Sequence, residues 1–93
     1  MSSVSLEAYI VYTGLEESKE KVLKEKVSID RIEHVAVDLC SEHGFDETFV
    51  KEESDSSKLT FSAFDQKKKK KLTLILRGKQ EELQEIEDLG ILE

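Results

Sequence analysis

The stretch KLTFSAFDQKKKKKLTLILR, residues 58–77, contains the two most regular strand patterns of the chain. Apolar and other residues alternate over 58–65 and again over 71–77, with the period of two that is typical of β-strands. Gln66 and five consecutive lysines separate these two segments. Two strands joined in this way predict an antiparallel hairpin, and its tip would be residues 67–71, which we call the lysine run.

Two further strands are predicted elsewhere. Residues 4–14, VSLEAYIVYTG, alternate well, are rich in β-branched and aromatic residues, and stop at Gly14. A weaker strand pattern covers residues 46–52. The serine- and aspartate-rich segment 54–57 predicts a turn between this strand and the hairpin.

Helical patterns fill the region between the first two predicted strands. Residues 15–27 are rich in glutamate and lysine and predict a mostly solvated helix. Residues 28–43 repeat apolar side chains every three or four positions, which is the stripe of a helix that packs on a core. One helix over 15–43 is the alternative, but Ser28 is a good N-cap residue and favours a break.

A last helix is predicted at the end of the chain, over residues 80–90. Leu83, Ile86 and Leu89 recur at a spacing of three on its apolar side, and Gly90 is a typical helix end. Ile91 and Leu92 follow, and we expect them to fold back onto the core.

The order of these elements is strand, one or two helices, three strands and helix. It favours an α+β fold of two layers, with an antiparallel or mixed sheet of about four strands and two to three helices on one face. A ferredoxin-like plan, with a right-handed crossover after the first strand, is the nearest common arrangement. The length of 93 residues predicts one domain, residues 1–93.

The charge is unevenly distributed along the chain. The formal net charge is −7, yet residues 67–79 contain seven basic and no acidic residues.

The single cysteine, Cys40, cannot form an internal disulfide, which favours a reducing compartment. The apolar segments are far shorter than the roughly 20 residues that cross a bilayer, and the N-terminus lacks the pattern of a signal peptide. We therefore expect a cytoplasmic protein without membrane contact.

The second helix contains the residue types that bind metals or act as nucleophiles. His34 and Asp38 are four residues apart, and Cys40 and His43 are three apart. At about 100° per residue, the two pairs point to nearly opposite sides of the helix and cannot surround one ion. Cys40 lies near the C-terminal end, where the helix dipole disfavours a thiolate. The sequence thus predicts no enzyme activity, no metal and no cofactor.

The lysine run is the main candidate for contact with a partner. Its simplest interpretation is that the lysines keep the adjacent apolar strand soluble. The alternatives are contact with an acidic protein surface or with nucleic-acid phosphates, although no aromatic residue lies among these lysines for bases to stack on. The candidate partner-binding residues are Lys67, Lys68, Lys69, Lys70, Lys71, Arg77 and Lys79.

Without a catalytic pattern, the sequence favours a small protein-interaction or regulatory module. We expect a homodimer, another homo-oligomer or a subunit of a complex, because the sheet has apolar residues for a second face. One alternative is a nucleic-acid-binding module that uses the hairpin tip, and another is an acidic inhibitor whose helical carboxylates occupy a basic protein site. The residues expected on the second face are Tyr9, Val11, Phe49, Phe64 and Ile75.

Overall fold

A computed structural model describes residues 3–12, 18–65, 67 and 69–92 of the chain. These residues form an α+β structure with a five-stranded antiparallel sheet and two α-helices. A 3-10 turn, Ile29–Arg31, precedes the first helix. The strands are β1 Ser3–Tyr12, β2 Ser18–Ser28, β3 Val50–Ser54, β4 Lys58–Phe64 and β5 Lys70–Arg77, and the helices are α1 Ile32–His43 and α2 Gln80–Leu89.

The strands lie in the order β2-β1-β5-β4-β3, and all four neighbouring pairs of this described sheet are antiparallel. β1 pairs with β2, which follows it in the chain, and also with β5. The sheet therefore has five strands rather than the predicted four or so. The ferredoxin-like plan is not confirmed, since β1 is followed by its own antiparallel neighbour instead of a helical crossover.

The prediction of a helix over 15–27 is wrong. Strand β2 occupies this segment, apart from its first three residues, which lie outside the described part of the chain. The alternative of one helix over 15–43 is wrong for the same reason. Lysine and glutamate favour a helix over most residues by only about 0.5 kcal/mol or less, whereas pairing with β1 buries Val27 and packs Leu23 against the core. Packing of this kind overrides helix propensity.

The other predicted elements match the structure more closely, although Leu89, predicted on the apolar side of the last helix, is 65% exposed. α1 ends where Gly44 adopts a left-handed conformation with φ of 77°, and Gly90 ends α2 in the same way. β4 and β5 form the predicted antiparallel pair. The weak strand predicted over 46–52 is displaced toward the turn, because β3 covers Val50–Ser54. Ser28 is the last residue of β2 and is followed by the 3-10 turn instead of starting α1 directly.

The hydrophobic core lies between the sheet and the two helices. After α2, Ile91 packs against this core and Leu92 is buried, so the predicted fold-back is confirmed. Both described helices cover the same face of the sheet. The core side chains are Val4, Leu6, Ala8 and Ile10 of β1, Leu59, Phe61 and Ala63 of β4, and Leu72, Leu74 and Leu76 of β5, with Ile32, Ala36, Leu39 and Cys40 of α1 and Leu83 and Ile86 of α2.

Candidate binding surface

The sheet face opposite the helices, which we call the open face, has no helix over it in the described residues. Side chains of a strand alternate between the two faces, so the residues between the core positions point to the open face. The register of the central strands defines its members. They are Ser5, Glu7, Tyr9 and Val11 of β1, Lys71, Thr73, Ile75 and Arg77 of β5, and Lys58, Thr60, Ser62 and Phe64 of β4.

A β-bulge at Val22 determines which side chains of β2 reach the open face. Consecutive residues of β1 pair with Leu23 and Lys21, so Val22 is the extra residue of β2 at this point. In an uninterrupted strand, Lys21 and Lys24 would face opposite sides, because they are three residues apart. The extra residue brings them to the same side. As a result, four lysines point to the open face, and we call them the β2 lysines: Lys19, Lys21, Lys24 and Lys26.

The two layers of the protein carry opposite charge. The open face has seven basic and three acidic side chains among the described residues, a balance of +4. The helices α1 and α2 carry three and five carboxylates, and neither contains a lysine or arginine. Glu20 and Glu25, which the sequence places on a helix, lie in β2 and face the helical side. The basic side chains are the β2 lysines, Lys58, Lys71 and Arg77, and the acidic ones are Glu7, Glu52 and Glu53.

Glu7 is the acid at the centre of the open face. Its carboxylate accepts hydrogen bonds from the Tyr9 hydroxyl at 2.5 Å and from the Arg77 guanidinium at 2.8 Å. The hydrogen bond from Tyr9 is the main cause that lowers the pKa of Glu7, and the charges of Arg77 and Lys24 act in the same direction against burial. The same hydrogen bond raises the pKa of Tyr9. Glu7 is therefore ionised at neutral pH, and its charge is balanced by its own neighbours.

Tyr9 is an aromatic side chain among these basic residues. The ammonium nitrogen of Lys19 lies 4.2 Å from the centroid of its ring, and that of Lys21 lies 6.0 Å away. Both distances are within the range of a cation–π contact. Aromatic and basic residues are thus interleaved in space, through the pairing of β1 with β2, although they are far apart in the sequence.

Small hydroxyl side chains form the floor of the open face. The hydroxyls of Ser62 and Thr73 are 3.1 Å apart and share a hydrogen bond across β4 and β5. The Thr60 hydroxyl is buried and has no hydrogen-bond partner among the described residues. The ammonium group of Lys71 reaches across β4 to Glu52 at 3.0 Å. Long charged side chains of this kind cover the floor, which explains why it is buried although no helix packs on it.

The apolar second face that the sequence predicts is only partly present. Tyr9, Val11, Phe64 and Ile75 belong to the open face, but Phe49 packs against the core. Tyr9 and Val11 are neighbours on β1, but lysine and hydroxyl side chains separate Phe64 and Ile75 from them and from each other. The open face is therefore a mixed, basic surface rather than a continuous apolar patch.

The lysine run is divided by the structure. Lys67 and Lys69 lie in the connection between β4 and β5, and Lys68 lies outside the described residues. Lys70 and Lys71 are part of β5 rather than the tip and, as neighbours in a strand, point to opposite faces. The Lys70 ammonium lies 5.1 Å from the centroid of the Phe45 ring on the helical side.

The two other predicted partner-binding residues lie far from the hairpin tip. Arg77 is six residues after Lys71, about 20 Å along the strand. Lys79 is at the start of α2, where its backbone N–H donates to the carboxylate of Glu82 at 2.9 Å. Of the seven predicted residues, Lys71 and Arg77 belong to the open face. That the seven contact a partner stays a prediction.

The sequence interpretation placed Tyr9 on the second face of the sheet but did not identify the β2 lysines beside it. The segment KEKVLKEK, residues 19–26, has lysines at odd positions and then at even positions. A strict period of two assigns them to both faces, and the same spacing also fits a helix. The available signal was the central Val22–Leu23 pair, because one extra residue at this point restores a single period of two for the four lysines.

The cysteine of α1 is buried in the core, and one histidine and the aspartate of this helix are paired on the surface. Cys40 is fully buried, its thiol donates to the Asp46 carbonyl at 3.7 Å, and burial raises its pKa to about 11. His34 and Asp38 form an exposed pair, with 3.4 Å between Nε2 and the carboxylate oxygen. In the described part of the chain, no three His, Cys, Asp or Glu side chains are grouped as ligands of an ion.

No protein-family model, curated protein or solved structure matches this chain. Neither helix in the described ranges is long and apolar enough to cross a membrane. The function is therefore inferred from the open face itself.

Proposed function

We propose that the protein is a non-enzymatic interaction module whose open face binds an anionic partner. The bulge at Val22 carries the proposal, because it brings the four β2 lysines to one face of the sheet while the helical carboxylates lie on the other. Complementary potentials steer association and select partners. In this proposal the protein acts in the cytoplasm, as a regulatory protein or a subunit of a complex.

A second copy is a poor partner for the β2 edge. In a two-fold pair of β2 strands, the sheet continues and both open faces lie on the same side. The β2 lysines of one copy would then stand opposite those of the other, and like charges opposite each other destabilise a strand pair. The homodimer that the sequence favours therefore needs a surface other than the β2 edge.

Retention on immobilised heparin, a sulfated polysaccharide, tests the proposal. The variant Lys19→Glu/Lys26→Glu changes the two ends of the β2 lysines and leaves the neighbours of Glu7 in place. The matched control, Lys67→Glu/Lys69→Glu, makes the same change of net charge in the connection between β4 and β5. We expect the first variant to elute at much lower salt than the unmodified protein, and the control to elute close to it.

Two results contradict the proposal. If the control alone loses retention, the lysine run is the binding site, as in the sequence-based alternative. If the unmodified protein passes through the column at about 50 mM salt, where electrostatic binding is strong, the open face does not bind anions.

A second candidate function is supported by the charge of the helices. The eight carboxylates of α1 and α2, without a lysine or arginine between them, give a surface for docking on a basic protein site. If the protein is an acidic inhibitor, Glu81→Lys/Glu85→Lys should abolish its binding to polylysine, and Lys19→Glu/Lys26→Glu should not. If polylysine binding survives the helix substitutions, the helices are not the docking surface, and the open face remains the proposed binding surface.

A further inference from the structure

We propose that the anionic partner of the open face is a single-stranded nucleic acid, whose phosphates lie along the β2 lysines and whose bases stack on Tyr9. This inference rests on the proposed function and identifies the chemical class of its partner. Single-stranded nucleic acids are typically bound by a basic track beside exposed aromatic rings. The open face combines a basic track with the partly exposed ring of Tyr9 on the adjacent strand.

The β2 lysines supply the track. They occupy one border of the open face, on the edge strand of the sheet. With about 3.3 Å per residue, the row from Lys19 to Lys26 is roughly 20 Å long. A strand of phosphates that follows this row leaves its bases free to turn inward over β1 and β5.

Tyr9 is placed to receive a base. Its hydroxyl is held by Glu7, and Glu7 in turn is held by Arg77, so the ring has a fixed position beside the β2 lysines. The Lys19 ammonium now lies over the ring, 4.2 Å from its centroid. A phosphate that binds Lys19 would draw this ammonium group away, and a base would take its place. Phe64 is a second aromatic side chain on the same face.

The remainder of the open face favours nucleic acid over an acidic protein. Carboxylates of a protein would use the lysines but would have no need of the ring. Bases, in contrast, present flat faces that can stack on the ring of Tyr9. A duplex is a weaker match, because its bases are stacked within the helix and have no free face for Tyr9.

The acidic character of the whole chain does not prevent this binding. The carboxylates of α1 and α2 lie in the layer behind the sheet, and the smallest dimension of the molecule is 21 Å. Charges are screened over about 8 Å at physiological salt. A strand on the open face therefore experiences the local balance of +4 more than the net charge of −7.

Fluorescence anisotropy with three labelled probes tests the inference: an oligouridylate of 12 nucleotides, a 12-base-pair DNA duplex and polyglutamate. We expect the oligouridylate to bind most tightly, with a slope of log K against log salt of about −3, from about 0.7 for each of four phosphate contacts. Tyr9→Leu should weaken this binding roughly 5- to 150-fold, the range for one stacked base. Tyr9→Phe keeps the ring but loses the hydroxyl that Glu7 holds, so it should bind more tightly than Tyr9→Leu, and circular dichroism checks that both variants are folded.

The possible results separate the inference from the proposed function. If polyglutamate binds and the oligouridylate does not, the inference is overturned and the proposed function stands. If no probe binds, both fail. Equal binding of duplex and single strand, or equal binding by Tyr9→Leu and Tyr9→Phe, also overturns the inference, because stacking on Tyr9 then contributes nothing.

Discussion

Deletion of Val22 should leave both the fold and the binding surface intact, although it removes a residue from the middle of a strand. In an ordinary strand, a deletion of one residue turns every side chain beyond it to the wrong face. Val22 is the extra residue of a bulge, so its removal lets Lys21 and Leu23 follow each other opposite Tyr9 and Ala8. All four β2 lysines then keep their orientation.

The expected change in stability is small. Val22 is half-buried against the core, and the loss of half a valine side chain from the interior costs about 1 kcal/mol. A regular ladder in place of the bulge regains about one hydrogen bond, near 1 kcal/mol. We therefore expect the free energy of unfolding of the deletion variant to lie within about 1 kcal/mol of the original value.

Deletion of Ile75 is the matched control. Ile75 is also a half-buried apolar residue, but β5 pairs without interruption with both β1 and β4. Its removal forces Leu76, or Leu74 together with Leu72, out of the core, at about 2–5 kcal/mol for each leucine. This control should be largely unfolded, because total stabilities of small domains are only about 5–15 kcal/mol.

Urea unfolding followed by circular dichroism measures both variants, and heparin retention measures binding by the first. If deletion of Val22 is as damaging as deletion of Ile75, or if it abolishes retention in a protein that is still folded, Val22 is not an extra residue and the assignment of the β2 lysines to one face is wrong.

Three further results are expected. Thr60→Val should raise the free energy of unfolding by about 1 kcal/mol, since it removes a buried hydroxyl without a partner; a loss of stability in thermal unfolding would show that this hydroxyl is satisfied. Tyr9→Phe should raise the pKa of Glu7 toward its ordinary value of 4.5, because the main cause of its lowering is lost. A lowered pKa means that ionised Glu7 stabilises the folded protein above pH 4.5 and that this contribution disappears as the pH falls through the folded-state pKa. The stability difference between Tyr9→Phe and the unmodified protein should therefore shrink on acidification, as urea unfolding at several pH values and NMR titration of Glu7 would reveal; an unchanged Glu7 titration would contradict it. Cys40 should react with a thiol reagent at pH 8 only after unfolding, because a pKa of about 11 leaves roughly one thiol in a thousand ionised; rapid labelling of the native protein would contradict its burial.

Local sequence patterns were sufficient to predict the helices and strands whose apolar residues keep one period throughout their length. α1 and α2 have apolar residues at helical spacing and end at Gly44 and Gly90, whose left-handed conformation the structure confirms. β4 and β5 alternate without a break because each is paired on both sides. In these segments, local preference and tertiary packing favour the same structure.

β2 could not be identified by such rules. Its lysines and glutamates fit a helix, and the bulge breaks the period of two that would indicate a strand. Its assignment depends on pairing with β1, a contact that no local pattern contains. The error in β2 also led to the error in the count of strands and to the ferredoxin-like plan.

The candidate site was missed for the same reason. The lysine run is conspicuous in the sequence, but Lys70 and Lys71 point to opposite faces of β5. The larger basic surface arises from Lys19 and the other β2 lysines next to Tyr9, on different strands. The pairing register of β2 with β1 decides which lysines share a face, and a count of charges along the sequence does not contain this register.

The most direct test of the open face as the binding surface is an NMR titration of the isotope-labelled protein with a short heparin oligosaccharide. We expect the largest amide shifts in β1, β2 and β5, with Lys21, Tyr9 and Thr73 among them. Shifts confined to residues 65–70, or to α1 and α2, would contradict it.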